Sequence, residues 1–175
     1  MSRARVVVIT GFMGAGKTTV GRALAGLLGE TFTDLDDAVK DLEGRGPREL
    51  IDEEGEEYFR EAETRALRRV LESGAARVVA TGGGAWALAR NRSLVTAHGC
   101  FSVWLDAPFE LCLRRIEDEG ARDSRPFARD TERARRLYEE RLAAYRQTDL
   151  RVRVTPEASG EGLAAEIAAA LGEGV

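Results

Sequence analysis

The sequence has little of what several classes of protein depend on. It contains one histidine and two cysteines, no run of 18 apolar residues and no N-terminal apolar region of the kind found in signal peptides. Cys100 and Cys112 lack the spacing of metal ligands, so we expect two reduced thiols in the core. His98 precedes Gly99, as the residue at the end of a helix would, so catalysis by histidine is not expected. These absences argue against a disulfide-stapled, secreted or membrane-spanning protein, and we expect a cytoplasmic one.

The charge of the chain gives no sign of a macromolecular partner. The 175 residues carry a formal net charge of -4, and both signs are mixed along the chain. We therefore expect no nucleic acid and no membrane as partners, but a monomer that binds small molecules. Lys17 and Lys40 are the only lysines among 26 basic residues, so an arginine is informative only where it lies in a motif. A hydrophobic fraction of 43% suffices for the core of one domain, 1–175.

Short apolar runs alternate with helical patterns along the whole chain. The first run, 6–10, is β-branched and continuously apolar, as in a strand that is covered on both faces. The alternation predicts an α/β fold with a doubly wound parallel sheet. Five strands are predicted, at 6–10, 31–33, 77–81, 100–105 and 150–154. Helices are predicted at 17–28, 37–42, 47–53, 56–73, 91–97, 131–146 and 160–171, and one more opens at Pro108.

The segment between the first strand and the first helix has the pattern of a phosphate-binding loop. Residues 11–18 read GFMGAGKT, which matches G-x-x-x-x-G-K-[ST]. Glycines let backbone N–H groups converge on phosphate oxygens, and the helix that starts at Lys17 points its positive end at the same anion. The ammonium of Lys17 would supply catalytic charge at the terminal phosphates, and the Thr18 hydroxyl would bind Mg²⁺. The predicted nucleotide contacts are Gly11, Gly14, Ala15, Gly16, Lys17, Thr18 and Thr19.

Two further motifs end predicted strands at the same edge of the sheet. The second strand ends in Asp34-Leu35-Asp36, and strand alternation would send both carboxylates the same way, to the edge where ligands bind in open α/β sheets. One carboxylate is suited to Mg²⁺ through water and the other to a proton from a substrate hydroxyl; the alternative is a pair of solvated loop carboxylates. The third strand ends in Gly82-Gly83-Gly84, which would let a ligand lie against bare backbone, unless the segment is only a flexible turn.

Together these residues resemble the shikimate kinase family, within the nucleoside-monophosphate-kinase-like P-loop group. The motifs that carry the resemblance follow the family's order across nearly the whole chain: 11–18, Asp34-Leu35-Asp36, Glu57-Tyr58-Phe59-Arg60, Gly82-Gly83-Gly84, Arg125-Pro126 and Glu140-Arg141. The resemblance implies a P-loop NTPase fold with strand order 2-3-1-4-5, a shikimate-binding region at about 34–63 and a lid at about 119–130. It also implies MgATP-dependent phosphorylation of the shikimate 3-hydroxyl, on the way to chorismate and the aromatic amino acids.

The resemblance implies roles for the residues on the acceptor side. Asp36 corresponds to the acidic residue that hydrogen-bonds shikimate hydroxyls and is the candidate base, and Asp34 corresponds to the one near Mg²⁺. Arg60 and Arg141 correspond to the arginines that hold the substrate carboxylate, a task that suits guanidinium because it binds carboxylates in a bidentate geometry. Gly82-Gly83-Gly84 corresponds to the substrate-binding glycines, with the backbone of the middle one meeting a hydroxyl.

The remaining implied roles concern the nucleotide and the lid. Arg125 corresponds to the lid arginine that reaches both substrate and phosphate, which makes it a predicted catalytic and nucleotide-binding residue. Arg115 is similar to the arginine that stacks on adenine, and Glu63 to a carboxylate that orients the first substrate-binding arginine. The chain departs from the family's usual pattern at Phe127-Ala128, where two leucines are common, and at Ala143, where a proline is.

Two other functions are compatible with a P-loop. Another metabolite kinase of the same group, such as gluconate kinase, would need a different acceptor site, and Phe59-Arg60 together with the three glycines argues against it. A nucleotide-binding module without phosphotransferase activity would tolerate the loss of Asp36 or Arg125, and both are present. The sequence therefore favours phosphorylation of shikimate.

Overall fold

Five parallel strands form the sheet that carries the motifs. The computed structural model describes residues 5–118 and 130–172, and within these the strand order is β2-β3-β1-β4-β5. Neighbouring strands pair in parallel throughout. The order confirms the predicted doubly wound sheet, and each strand lies within one residue of its predicted position. The strands are β1 Val7–Thr10, β2 Phe32–Asp34, β3 Val78–Ala80, β4 Phe101–Asp106 and β5 Leu150–Arg153.

Burial on both faces explains the apolar character of the central strand. Strand β1 is buried along its whole length and lies between β3 and β4, with Val8 opposite Val79 on one side and Ser102 on the other. Because helices cover both faces of such a sheet, β1 shows no alternation of polar and apolar residues. Strand β5 lies at the edge and does alternate, with Val152 buried between two exposed arginines.

Helices connect successive strands and cover the sheet. Every predicted helix is present in the described part of the chain, and α2 and α5 begin two residues earlier than predicted. The turn just before α5 was not predicted. No helix among the described residues is long and apolar enough to cross a membrane. The helices are α1 Lys17–Leu28, α2 Leu35–Glu43, α3 Pro47–Glu54, α4 Glu56–Ser73, α5 Ala89–Ala97, α6 Phe109–Asp118, α7 Thr131–Tyr145 and α8 Gly160–Gly172, with a 3-10 turn at Ala85–Ala87.

The start of α2 corrects the predicted geometry of the two aspartates. Alternation along a strand does not continue to Asp36, because β2 ends at Asp34 and the helix starts at the next residue. The Asp36 N–H donates a hydrogen bond of 3.0 Å to the Asp34 side chain, which caps the helix. An N-cap carboxylate satisfies a backbone donor that the first helical turn leaves without a partner. Asp36 therefore lies in the first turn of a helix, and helical geometry sets its direction.

The histidine and the cysteines have the structural roles that were predicted for them. His98 ends α5, and its backbone N–H donates to the carbonyl of Leu94 at 3.1 Å. Gly99 follows with a φ of 63°, a left-handed conformation that favours glycine after a helix. Cys100 and Cys112 are free thiols and both are buried. These residues serve the packing of the fold.

Helix α1 offers a matched pair of glycines that tests its packing. An alanine Cβ at buried Gly21 would lie 2.5 Å from the Phe32 ring of β2, whereas one at exposed Gly26 would meet nothing within 4 Å. Both substitutions gain roughly 1 kcal/mol of helix propensity. We expect Gly26→Ala to raise the unfolding free energy. The unfolding free energy of Gly21→Ala should be about 1–3 kcal/mol lower than that of Gly26→Ala because of overpacking. Urea denaturation measures both, and equal stabilities would contradict the close contact between α1 and β2.

Candidate active site

An open cavity of about 340 Å³ lies at the carboxyl edge of the sheet. It starts beside α2 and the glycines that follow β3, crosses the loop between β1 and α1, and ends against α6 and α8. Ligands bind at this edge in open α/β sheets because loops and helix N-termini converge there. Its lining residues are Met13, Gly14, Ala15, Gly16, Lys17, Thr18, Thr19, Val20, Asp36, Gly82, Gly83, Arg115, Ala158, Gly160 and Leu163.

The loop after β1 is shaped as a cradle by its glycines. Gly14 and Gly16 have φ angles of 79° and 96°, which L side chains rarely adopt. A Cβ on Gly14 would also lie 2.6 Å from the carbonyl oxygen of Cys112. The Ala15 N–H donates to the carbonyl of Phe12 at 3.1 Å, and the Lys17 ammonium donates to the same carbonyl at 2.9 Å. The loop thus holds the start of α1, with its positive dipole end, against the cavity.

The predicted metal-binding pair is in direct contact. The Thr18 hydroxyl, in the first turn of α1, donates a hydrogen bond of 2.7 Å to Asp34 Oδ2. The other oxygen of Asp34 caps α2, so the carboxylate is fixed from two sides. A hydroxyl and a carboxylate beside a phosphate cradle are the hard oxygen donors that Mg²⁺ prefers. In the described ranges no group of three or more His, Cys, Asp or Glu side chains forms a metal site by itself.

On the acceptor side, two arginines from different helices approach one buried glutamate. Arg60 of α4 donates a hydrogen bond of 2.9 Å to Glu63 Oε2, and the Glu63 side chain is completely buried. Arg141 of α7 is only 7% exposed. Its charge interacts with those of Arg60 and Glu63. The structure therefore brings Glu63 close both to Arg60, 3 positions before it, and to Arg141, 78 positions after it.

Burial and charge act against each other in this cluster. Burial raises the pKa of Glu63, whereas the charge and hydrogen bond of Arg60 lower it, Asp36 raises it and Arg141 lowers it. Burial lowers the pKa of Arg141, with opposing contributions from Tyr145 and a further lowering from Arg60. Among the described residues, Arg60 forms ion pairs with Glu63 and with the exposed Glu56, at 2.9 and 3.4 Å, whereas Arg141 forms none. Such a cluster is suited to an anion from outside.

The three glycines make room for these side chains. A Cβ on Gly84 would lie 2.6 Å from the Cζ atom of Arg60, and one on Gly83 would lie 3.1 Å from Nη1 of Arg141. A Cβ on Gly82 would lie 2.8 Å from Glu63 Oε1 and 3.4 Å from Asp36 Oδ1. The glycines were predicted to expose backbone to a ligand, and Gly82 and Gly83 do line the cavity. Their second role, the space they leave for charged side chains, was not predicted.

Arg115 of α6 contacts the phosphate loop at the other end of the cavity. Its Nη1 donates to the carbonyls of Gly14 and Ala15, at 3.3 and 3.1 Å. The predicted contact with adenine stays a prediction. Ala158, Gly160 and Leu163 line the same end, and the last two were not among the predicted contacts. A Cβ on Gly160 would lie 2.9 Å from Thr19 Cγ2, so the absence of a side chain is the only signal that the sequence gives there.

The predicted lid lies outside the described residues, apart from its last position. Arg125 and the segment 119–129 are not described, so the predicted roles of the lid and of Arg125 stay predictions. Asp130 is described and caps α7 by accepting a hydrogen bond of 3.0 Å from the Arg133 N–H. The chain after 129 thus begins directly with the helix that carries Arg141.

The fold and the cavity define a P-loop kinase, in which a phosphate cradle and a group of charged side chains share one edge of a parallel sheet. The chain belongs to the shikimate kinase family, whose model matches residues 13–172. It is accordingly an ATP-using kinase.

Individual relatives agree with the family model over most of the chain. A shikimate kinase of Ruegeria pomeroyi is 41% identical over 95% of this chain and 85% of its own length. The structure of the Acinetobacter baumannii shikimate kinase in complex with shikimate is similar at a TM-score of 0.86 and 33% identity, covering 97% of this chain and 94% of that one. The Aquifex aeolicus shikimate kinase has a TM-score of 0.80 and 30% identity over 96% of both chains.

Proposed function

We propose that this protein transfers the γ-phosphoryl group of ATP to the 3-hydroxyl of shikimate. The products are shikimate 3-phosphate and ADP, a step toward chorismate and the aromatic amino acids. The observation that carries the proposal is the pair of Arg60 and Arg141 beside the phosphate cradle. Arg141 has no ion pair among the described residues and its charge interacts with that of Arg60, so the two guanidinium groups fit a small acceptor that brings its own carboxylate.

The nucleotide side of the site supplies positive charge and fixed donors. Backbone N–H groups of residues 11–16, the N-terminus of α1 and the Lys17 ammonium would hold the phosphates. Thr18 and Asp34 fit a Mg²⁺ ion, the first directly and the second through water, and the ion would neutralise phosphate charge. Because phosphoryl transfer needs mostly positioning and charge neutralisation, these groups are the main requirement on this side.

Asp36 is the residue to which we assign the acceptor hydroxyl. It lines the cavity in the first turn of α2 and lies close to Gly82. From there its carboxylate would orient the hydroxyl in line with the phosphoryl group and accept its proton as the new P–O bond forms. Arg125 would add positive charge from the lid, a role that rests on the family resemblance.

The substrate-binding region that we propose, about 34–63, consists of helices that are tied to one another. The Tyr58 hydroxyl of α4 donates to Glu43 of α2 at 2.8 Å, and Arg65 of α4 donates to the same carboxylate at 2.6 Å. Arg45 forms an ion pair with Glu54 at the end of α3, at 3.1 Å. These contacts hold α2, α3 and the start of α4 together as one unit, which would carry Asp36 and Arg60 to the acceptor.

An acceptor panel tests the proposed reaction directly. In a coupled assay of ADP release, we expect rapid turnover with shikimate and only background rates with gluconate, other hydroxy acids or no acceptor. Lys17→Ala is the control for the catalytic cradle and should lower kcat by roughly 10²–10³. Faster turnover with gluconate would reassign the acceptor. Tight ATP binding with slow turnover for every acceptor would instead identify a nucleotide-binding module.

Two amide variants distinguish the proposed roles of Asp34 and Asp36. Asp36→Asn keeps the shape but loses the negative charge, so we expect kcat to fall by roughly 10²–10⁴ while the KM for shikimate changes much less. Asp34→Asn should instead raise the Mg²⁺ concentration needed for half-maximal rate, because its partner is Thr18. Steady-state kinetics at varied Mg²⁺ measure both effects. Unchanged kcat for Asp36→Asn with a higher Mg²⁺ requirement would mean that the roles are reversed.

The arginine pair decides the class of acceptor. If both arginines hold one carboxylate, either alanine substitution should raise the KM for shikimate roughly ten- to a hundredfold, as expected for loss of a charge-assisted hydrogen bond. The two effects should be less than additive, because both groups serve one anion. ATP affinity without acceptor should barely change. Arg68→Ala on α4 and Arg136→Ala on α7 are matched controls, because both arginines are exposed on the same helices.

A neutral analogue distinguishes binding of the carboxylate from a structural effect. Shikimate with an amide in place of its carboxylate should bind poorly to the wild type and lose little more in Arg60→Ala or Arg141→Ala. If the acid and the amide lose equal affinity in these variants, then the arginines act on the fold or on phosphate, and the carboxylate assignment is wrong.

A further inference from the structure

Tyr145 ends α7 directly behind the acceptor site. Its side chain is completely buried, and its hydroxyl donates a hydrogen bond of 2.6 Å to the carbonyl of Gly83. Its ring stacks on Trp104 of β4, with ring centroids 5.8 Å apart and an interplanar angle of 27°. The tyrosine thus joins the end of α7 to the glycine segment that follows β3.

The same hydroxyl also faces the second substrate-binding arginine. Arg141 lies one helical turn before Tyr145 on α7, where side chains at i and i+4 share a face. The two side chains interact, and the interaction favours the charged form of Arg141 against its burial. The hydroxyl therefore donates to the Gly83 carbonyl and lies beside the Arg141 guanidinium, whose Nη1 would lie 3.1 Å from a Cβ on Gly83.

This hydroxyl is protonated at neutral pH. Burial raises the pKa of Tyr145 to about 12, and Arg141 opposes the increase only in part. The hydroxyl therefore remains a donor toward Gly83. Its removal would take a hydrogen bond from the Gly83 carbonyl and a polar neighbour from the buried Arg141.

We propose that Tyr145 is a positioning residue that sets the distance between the Arg141 guanidinium and the Gly83 backbone, and so the fit of the acceptor. The inference rests on the proposed function, because it assumes that the carboxylate of shikimate binds Arg141 and that a ring hydroxyl binds the Gly83 backbone. ATP would bind the phosphate loop, with which Tyr145 forms no hydrogen bond or ring contact among the described residues. Loss of the hydroxyl should therefore affect shikimate and leave ATP unaffected.

Tyr145→Phe is the test, and Tyr138→Phe on the same helix is its matched control. The Tyr138 hydroxyl also donates to a backbone carbonyl, at 3.1 Å, but to that of Ala107 and not to that of Gly83. Both variants keep the ring and lose one tyrosine–carbonyl hydrogen bond. We expect Tyr145→Phe to raise the KM for shikimate roughly tenfold, with kcat and the KM for ATP within about threefold of wild type. Tyr138→Phe should change each constant by less than about threefold.

A second measurement separates positioning from general loosening of the fold. In an Arg141→Ala background, Tyr145→Phe should add little further increase in the shikimate KM, because the residue acts largely through that arginine. If Tyr145→Phe is too unstable to assay, then every variant in the comparison is remade in a Gly26→Ala background. We expect this substitution to stabilise the fold, and a Cβ at Gly26 meets nothing within 4 Å. Additive effects, equal losses for ATP and shikimate, or equal effects of Tyr145→Phe and Tyr138→Phe would each overturn the inference.

An assay of the wild-type enzyme in parallel distinguishes failure of the proposed function from failure of the inference about Tyr145. Absence of shikimate-dependent ADP release by the wild type would reject the proposed function and the inference with it. Turnover by the wild type together with an unchanged shikimate KM for Tyr145→Phe would reject the inference alone.

Discussion

The burial of Arg141 and the partial burial of Arg60 at one edge of the sheet are the constraint on which the site depends. A guanidinium group removed from water needs an anion and hydrogen-bond acceptors, or its burial costs several kcal/mol. Glu63, itself completely buried, supplies one negative charge to both. The glycines after β3 supply the space, and helices α4 and α7 supply the two backbones. Arg60 also pairs with Glu56, whereas Arg141 has no ion pair among the described residues, so a substrate carboxylate would supply the anion that the buried Arg141 lacks.

Asp34 shows how the same atoms can serve the fold and the site. One of its oxygens caps α2 and the other accepts the hydrogen bond of Thr18. The helix cap fixes where β2 ends, which in turn places Asp36 in a helical turn that faces the cavity. Rigid support of this kind is what a site needs when catalysis consists mainly of positioning. Local folding and the geometry of the reaction are therefore coupled at this residue.

Local patterns were sufficient to predict the strands, the helices and the phosphate loop, because each is encoded in a contiguous segment. The strand order came from the resemblance to a family, since nothing local specifies which strands are neighbours. Strand alternation was the wrong basis for placing Asp36, because β2 ends at Asp34 and the Asp34 side chain caps the helix that begins at the next residue, although Asp36 does line the cavity. The hydrogen bond of Tyr145 was missed because its partner, Gly83, lies 62 residues away, and neither segment alone indicates the contact.

The scarcity of lysine has a consequence for the chemistry of the surface. Lys17 lines the cavity, whereas Lys40 is exposed on α2, and these are the only side-chain amines in the sequence. An amine-reactive reagent therefore meets two side chains in very different surroundings. A nucleotide in the cradle would shield the first and leave the second accessible, so the ratio of the two labels would report occupancy. The chain carries its own internal reference for nucleotide binding.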